Sequence, residues 1–217
     1  MNGLGFYTIA ITEPLGGDLM WRVMTLIVLM TAVSQAYAVA FCSLRDPVQQ
    51  IQQMYPGYTD FSSEIRDLKP SIALEYIEKS GLPIAVHAKE IGKHTLFYIQ
   101  EGDNMSGIVH VRSEPGRWGL IEIAWSLSPE GTIQDFLFQR CRGGDCKNAE
   151  TLAVKDQFKG LNVTSVGSLF NEAGEVIPQS LPIQQAFYET LVKSAAKTLV
   201  LTQAFWSVPQ VMNDQGG

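Results

Sequence analysis

Residues 118–140, WGLIEIAWSLSPEGTIQDFLFQR, decide the fold of this chain. Positions 121, 123, 125 and 127 are all apolar, and successive side chains of a strand point to opposite faces, so these four share one face. The string SPEG at 128–131 is typical of a turn, and 132–140 returns with Phe136 and Phe138 on one side. The stretch therefore predicts a β-hairpin.

A second hairpin is predicted just before the first. Residues 94–100, HTLFYIQ, are rich in aromatic and β-branched side chains, 101–104 (EGDN) form a turn, and 107–112 (GIVHVR) return. Four consecutive strands joined by tight turns predict an antiparallel four-stranded meander.

Helical patterns flank this sheet. One helix is predicted to start with Asp46 as N-cap and Pro47 at its first position and to end before 55–57, and a second covers 71–80 with Gly81 as its stop. A short helix is predicted over 149–158, an irregular segment over 161–180, and a long helix over about 182–206. The fold class is therefore α+β, with N-terminal helices and a long C-terminal helix packed on the sheet, and 39–217 is interpreted as a single domain.

The N-terminal residues are typical of a leader. Arg22, the apolar run at 23–33 and Ala36-Tyr37-Ala38 form a signal peptide over 20–38, and 1–19 is interpreted as an over-extended start before Met20. An uncleaved N-terminal anchor is the alternative. The leader predicts an exported protein, periplasmic or secreted, with no membrane span once it is removed.

Composition excludes one class of partner. The chain has 217 residues, with 16 Lys+Arg against 22 Asp+Glu and a net charge of −6. Binding to nucleic acid phosphates needs clustered positive charge, so no nucleic acid partner is expected. The 46% hydrophobic and 18% charged residues are ordinary for a packed globular protein.

Two of the three cysteines stand around a Gly-Gly turn. Cys141-Arg-Gly-Gly-Asp-Cys146 brings them within reach of each other, and an oxidising compartment permits a disulfide between them. The four-residue spacing differs from that of catalytic redox pairs. Cys42 is either free or paired elsewhere, and no metal-binding motif is present.

The order of elements and five local strings resemble the FMN-binding domain of exported flavoproteins, such as the flavin subunits of membrane redox ion pumps and the regulator of nitrous oxide respiration. Residues 55–61 look like the family's Phe-Pro-x-Ala-x-x-Phe, 103–109 like the strand before its Gly-Tyr-Gly-Gly signature, and 116–123 like that signature and its strand. Glu130-Gly131-Thr132-Ile133 and Gln157-Phe158-Lys159-Gly160 are similar to two later strings. The resemblance implies a module of extracytoplasmic electron transfer, with a redox or membrane-complex protein as partner, rather than a stand-alone enzyme.

Two departures bear on the cofactor. Residues 140–144, RCRGG, stand where the family has its flavin-contacting Glu-Thr-Pro-Gly-x-Gly. Leu181 falls on the position of the threonine that carries the FMN phosphodiester, and leucine has no oxygen to esterify. The resemblance therefore implies non-covalent FMN if flavin is held, and a cofactor-free binding or interaction module of the same fold if it is not.

An FMN site needs phosphate donors and a flat apolar surface for the ring. Arg117, Arg140 and Arg142 are the candidate donors, because guanidinium groups suit phosphate, and Trp118 with Gly119 is the candidate surface. The alternative is an exposed hairpin tip at 117–118 and arginines that merely solvate the cysteine loop.

His110 and Arg112 alternate on one strand and are predicted to lie across from Glu122. Histidine with glutamate can act as an acid–base pair, but such a set is more often a solvated sheet face with cross-strand charge pairs. Both interpretations place these side chains near water and near Glu122.

Overall fold

The computed structural model describes residues 45–207. The predicted leader at 1–38 and Cys42 lie outside the described residues. The five strands are β1 (Asp60–Leu68), β2 (Gly92–Glu101), β3 (Asn104–Gly116), β4 (Gly119–Leu127) and β5 (Ile133–Arg140). The α-helices are α1 (Val48–Met54), α2 (Pro70–Ser80), α3 (Gly144–Ala149), α4 (Leu152–Lys155) and α5 (Gln185–Ser207).

The sheet is an antiparallel meander in the order β1-β2-β3-β4-β5. The α+β class, the meander and the long C-terminal helix are confirmed, but the predicted count of four strands is wrong. The strand that was missed, β1, pairs with β2 along its whole length, from Asp60↔Gln100 to Leu68↔Gly92. Its sequence, DFSSEIRDL, is mostly polar because an edge strand buries little, and it therefore lacks the apolar alternation that reveals a strand.

Each face of the sheet carries its own apolar core. Ile121, Ile123, Trp125 and Leu127 share one face, as predicted, and pack with Leu191, Ala195 and other residues of α5. The opposite face is covered by α1, whose fully buried Ile51 packs with Phe97, Val109 and Ala124. Burial of apolar surface on both sides fixes the register of the central strands, since a slip of one residue would exchange the two faces.

The helices differ from their predicted bounds in particular ways. Pro47, not Asp46, is the N-cap of α1, while Gly81 ends α2 in the left-handed conformation with φ +63°, as expected. The single helix predicted over 149–158 is wrong, because α3 begins earlier, inside the cysteine loop, and α4 follows it as a separate short helix. A 3₁₀ helix, Ser165–Leu169, lies in the segment predicted to be irregular.

Side chains cover the backbone of β5, the last strand of the sheet. Glu150 accepts a hydrogen bond from the Phe138 N–H at 2.9 Å, and Gln50 of α1 donates one to the Phe138 carbonyl at 3.1 Å. Ile133 N–H donates to the Leu161 carbonyl at 2.8 Å. Such contacts occupy groups that an edge strand otherwise offers to another strand.

Within residues 45–207, no helix combines the length and apolar character needed to cross a membrane.

Candidate functional site

The candidate site is a groove of about 350 Å³ at one end of the sheet, which we call the tip groove. Three segments line it: the turn between β3 and β4, the loop after β5 with the start of α3, and the first turns of α5. Its volume lies within the range of roughly 300–1,000 Å³ that is usual for small-molecule sites. The meander brings these segments together because a strand pair ends at this edge and α5 begins there.

Four of the five predicted cofactor-binding residues line the tip groove. Arg117, Trp118 and Gly119 come from the β3–β4 turn, and Arg142 comes from the cysteine loop. Arg140 is not among the lining residues, and its guanidinium lies 3.8 Å from the Glu122 carboxylate instead. The sequence places Arg140 only two residues from Arg142. Because β5 ends at Arg140, however, only Arg142 lines the groove.

Trp118 is an exposed aromatic side chain of the groove, with 61% of the residue accessible. The Arg117 guanidinium carbon lies 5.0 Å from the centroid of its ring, in a cation–π arrangement. The edge of the ring lies against Gly143, where an added Cβ would come within 3.1 Å of Trp118 Cδ1. A glycine is also favoured at 143 by its φ of +112°. The indole therefore contacts the cysteine loop closely.

The cysteine loop is cross-linked, as predicted. Cys141 and Cys146 form a disulfide with their Cα atoms 5.8 Å apart. The loop is also attached to the segment before α5: Asp145 Oδ1 accepts from the Gln184 N–H at 3.2 Å, and Asn148 Nδ2 donates to the Pro182 carbonyl at 3.0 Å. These contacts fix one wall of the tip groove against the start of the long helix.

The electrostatics of the groove favour an anion. Two guanidinium groups and the N-terminal end of α5 face it, and the partial positive charge at the start of a helix attracts negative groups. Asp145 is the acidic residue of the lining, and its carboxylate already accepts the Gln184 N–H. Sequence reasoning missed Asp145, Asn148, Gln184, Phe187 and Thr190, because none belongs to a recognisable motif and only the fold brings them to the groove.

Leu181 precedes α5 at the edge of this region. Its side chain is partly buried and packs against the core under α5. An apolar side chain in that place supplies no nucleophile for a phosphodiester.

His110 and Arg112 do not lie on a solvated face, which corrects both interpretations of that set. His110 and Arg112 are 0% and 1% accessible and point toward α5. In the register of β3 and β4, Arg112 is opposite Ile123, and Glu122 is opposite Ser113, so Glu122 points to the other face of the sheet. The acid–base pair with Glu122 is therefore wrong.

Instead, four buried charges form a closed ion cluster between the sheet and α5. Lys197 Nζ lies 2.9 Å from Glu90 Oε2 and 3.2 Å from Glu114 Oε2. Arg112 binds the same two carboxylates, with its Nε 3.3 Å from Glu114 Oε1. Two acids and two bases balance, as buried ions must if they are to stay charged. We call Glu90, Arg112, Glu114 and Lys197 the buried ion cluster.

A chain of hydrogen bonds runs beside this cluster and fixes the histidine tautomers. His94 Nε2 lies 2.8 Å from the Glu90 carbonyl, which accepts only, so Nε2 carries the proton and donates. If both rings are neutral, His94 Nδ1 accepts from His110 Nε2 at 3.1 Å and His110 Nδ1 accepts from the Thr202 hydroxyl at 2.8 Å. The lowered pKa of each histidine favours this neutral state.

Burial keeps the His94 and His110 rings neutral. Desolvation, with the nearby Arg112 charge, lowers the pKa of His94 to about 4. Desolvation, followed by repulsion from His94 and Arg112, holds the pKa of His110 well below its usual value. With no access to water, these histidines link α5 to the sheet and do not form a catalytic site.

No family model matches the chain, and no match was found among curated proteins. Within residues 45–207, no group of three or more His, Cys, Asp or Glu side chains is arranged to hold a metal ion.

Proposed function

We propose that this chain is an exported FMN-binding-like module that holds FMN non-covalently in the tip groove and serves extracytoplasmic electron transfer. The observation that carries the proposal is the exposed Trp118 indole, with the Arg117 guanidinium over its ring, in a groove that Arg142 and the start of α5 also line. An indole offers a flat apolar surface to a ring system, and guanidinium groups bind phosphate through paired N–H donors.

Each residue of the groove has a separate part in this proposal. Arg117 and Arg142 bind the phosphate together with the N–H groups at the start of α5, and the exposed part of the Trp118 indole supports the flavin ring. A flavin held there supplies one- and two-electron chemistry, and the protein supplies binding and orientation. The Cys141–Cys146 disulfide is compatible with an extracytoplasmic location.

The test is the visible spectrum of the purified protein, before and after acid precipitation. Flavin bands that leave with the supernatant support non-covalent FMN, and bands that stay in the pellet contradict the argument from Leu181. Trp118→Ala and Arg142→Ala are each expected to weaken FMN binding about tenfold or more. Arg142→Ala removes a hydrogen bond to a charged group, which contributes about 1.5–3 kcal/mol, and Trp118→Ala removes a ring-stacking contact, which contributes about 1–3 kcal/mol.

Arg140→Ala is the matched control, because this arginine lies two residues away, at the end of β5, and outside the groove lining. Equal losses in Arg140→Ala and Arg142→Ala would show that FMN binds elsewhere.

One observation favours a second candidate, a cofactor-free exported binding module. Exposed tryptophan and arginine are the residue types that dominate protein–protein binding energy, and Trp118 and Arg117 are stacked at an exposed tip. A colourless protein that does not respond to added FMN, and whose thermal stability rises only with a protein partner, would favour this candidate.

A further inference from the structure

The disulfide ring and the tip groove share a wall. The four residues between Cys141 and Cys146 all line the groove: Arg142, Gly143, Gly144 and Asp145. The cross-link therefore encloses the segment that presents Arg142 to the groove and sets Gly143 against the Trp118 ring.

Few other contacts hold residues 142–145 in place. Helix α3 has six residues, Gly144–Ala149, and its N-cap residue, Gly143, has no side chain that could cap the helix. Helices this short are unstable on their own, because the first turn costs more conformational entropy than it recovers. Arg142, Gly143 and Gly144 are exposed, and two glycines lower the cost of unfolding the loop further.

The contacts that do exist depend on the loop's shape. Asp145 binds the Gln184 N–H, and Asn148 binds the Pro182 carbonyl, each through a single exposed hydrogen bond. Exposed hydrogen bonds of this kind exchange readily with water and add little stability. The disulfide is thus the covalent constraint on residues 142–145, while the buried Ala149 attaches the far end of α3 to the core.

We propose that the Cys141–Cys146 disulfide is a redox switch of the tip groove, which is formed in the oxidised protein and relaxes on reduction. This inference depends on the proposed function only for the identity of the ligand, FMN. The reductant that we propose is a protein dithiol. One of its thiolates attacks a sulfur of the disulfide, and its second thiol then resolves the mixed disulfide. Two electrons and two protons pass to Cys141 and Cys146, and the dithiol becomes a disulfide. Once the Cys141–Cys146 ring is open, Arg142 is no longer held at a fixed position in the groove that Arg117 also lines.

The experiment measures the loop and the ligand separately in the full chain. Acrylamide quenching of Trp118 fluorescence reports the loop without any ligand, and Trp118→Phe measured in parallel identifies the signal of this residue among the four tryptophans. FMN titration reports the groove. Both are recorded for the oxidised protein, for protein reduced with dithiothreitol, and for Cys141→Ser/Cys146→Ser, with circular dichroism to show that the sheet is intact.

We expect reduction to raise the quenching of Trp118 and to weaken FMN binding about tenfold, which corresponds to the loss of one hydrogen bond to a charged group. The double serine variant should behave like the reduced protein under oxidising conditions. Unchanged quenching after complete reduction, with free thiols confirmed by titration, would overturn the switch. Quenching that rises in a protein that binds no FMN in either state would support the switch and overturn the proposed flavin function instead.

Discussion

At the scale of single residues, Lys197 has an unusual environment. Its ammonium group sits between the Glu90 and Glu114 carboxylates, with 11% of the side chain accessible. Removing one member of a buried ion pair leaves its partners charged and desolvated, and this is much more costly than losing a pair at the surface.

Lys197→Met is therefore expected to lower the free energy of unfolding by about 3–5 kcal/mol, measured by urea denaturation. Lys193→Met is the matched control on the same helix, because its pair with Glu189 is 3.8 Å long and half exposed. That variant should change stability by less than about 1 kcal/mol. Similar losses in both variants would show that the buried ion cluster does not stabilise the fold.

Residues that act locally were predictable, and residues that act through distant partners were not. Trp118 and Arg117 reach the tip groove because a tight turn presents its own side chains. His110 was misplaced because GIVHVR shows that polar and apolar residues alternate without showing which face is covered. His110 is covered by α5, where Thr202, 92 residues away in sequence, forms a hydrogen bond with its ring. Only the tertiary structure reveals this contact.

At the scale of elements, the junction of α1 with β3 and β4 depends on close backbone approach at Gly107. A Cβ added there would collide with the Tyr55 hydroxyl and come within 2.6 Å of the Leu127 carbonyl. Tyr55 also bonds Ser126 at 2.6 Å and Gln134 at 2.9 Å, so its ring has no freedom to retreat.

Gly107→Ala should therefore destabilise the protein by about 1–3 kcal/mol, the usual cost of overpacking. Ser106→Ala, one residue earlier on the same strand, has an exposed hydroxyl and serves as the control. Thermal unfolding of both variants is the measurement. Equal midpoints would contradict the close approach of Tyr55.

The disulfide loop makes a direct chemical prediction. Denatured protein should show two more titratable thiols after reduction than before it, because Cys141 and Cys146 are paired. Removing the pair by Cys141→Ser/Cys146→Ser should cost about 2 kcal/mol, a small value because the closed loop is short. An equal number of thiols before and after reduction would rule out the cross-link.

Strands rich in apolar residues were predictable from sequence, and the mostly polar strand was not. The sequences of β2 to β5 reveal their strands because burial on both faces of the central sheet selects aromatic and β-branched residues. The sequence of β1 does not, because its place in the sheet comes from backbone pairing with β2. The predicted 149–158 helix failed because α3 ends at Ala149 and α4 covers only Leu152–Lys155.

At the scale of the whole molecule, the neutral histidine pair links global stability to pH. The folded state lowers the pKa of His94 from 6.5 to about 4 and that of His110 well below 6.5. Protons then bind the unfolded chain more readily, so this stability is fully present above pH 6.5 and is lost as the pH falls toward 4.

The free energy of unfolding should therefore decline between pH 6.5 and 5, where carboxylates are still ionised, and the His94 contribution to the loss should reach about 3 kcal/mol at pH 4. Urea denaturation at a series of pH values measures this. A flat profile between pH 6.5 and 5 would mean that the two rings are not held neutral.

The hydrogen bonds that occupy the Phe138 backbone of β5 affect how the protein associates with other copies of itself at high concentration. A strand from another molecule can align with β5 at Phe138 only after displacing the Glu150 carboxylate and the Gln50 amide. Formation of a fibril nucleus through β5 would therefore require these side-chain contacts to break first. This requirement slows the pairing of β5 with a strand of another copy in concentrated solution.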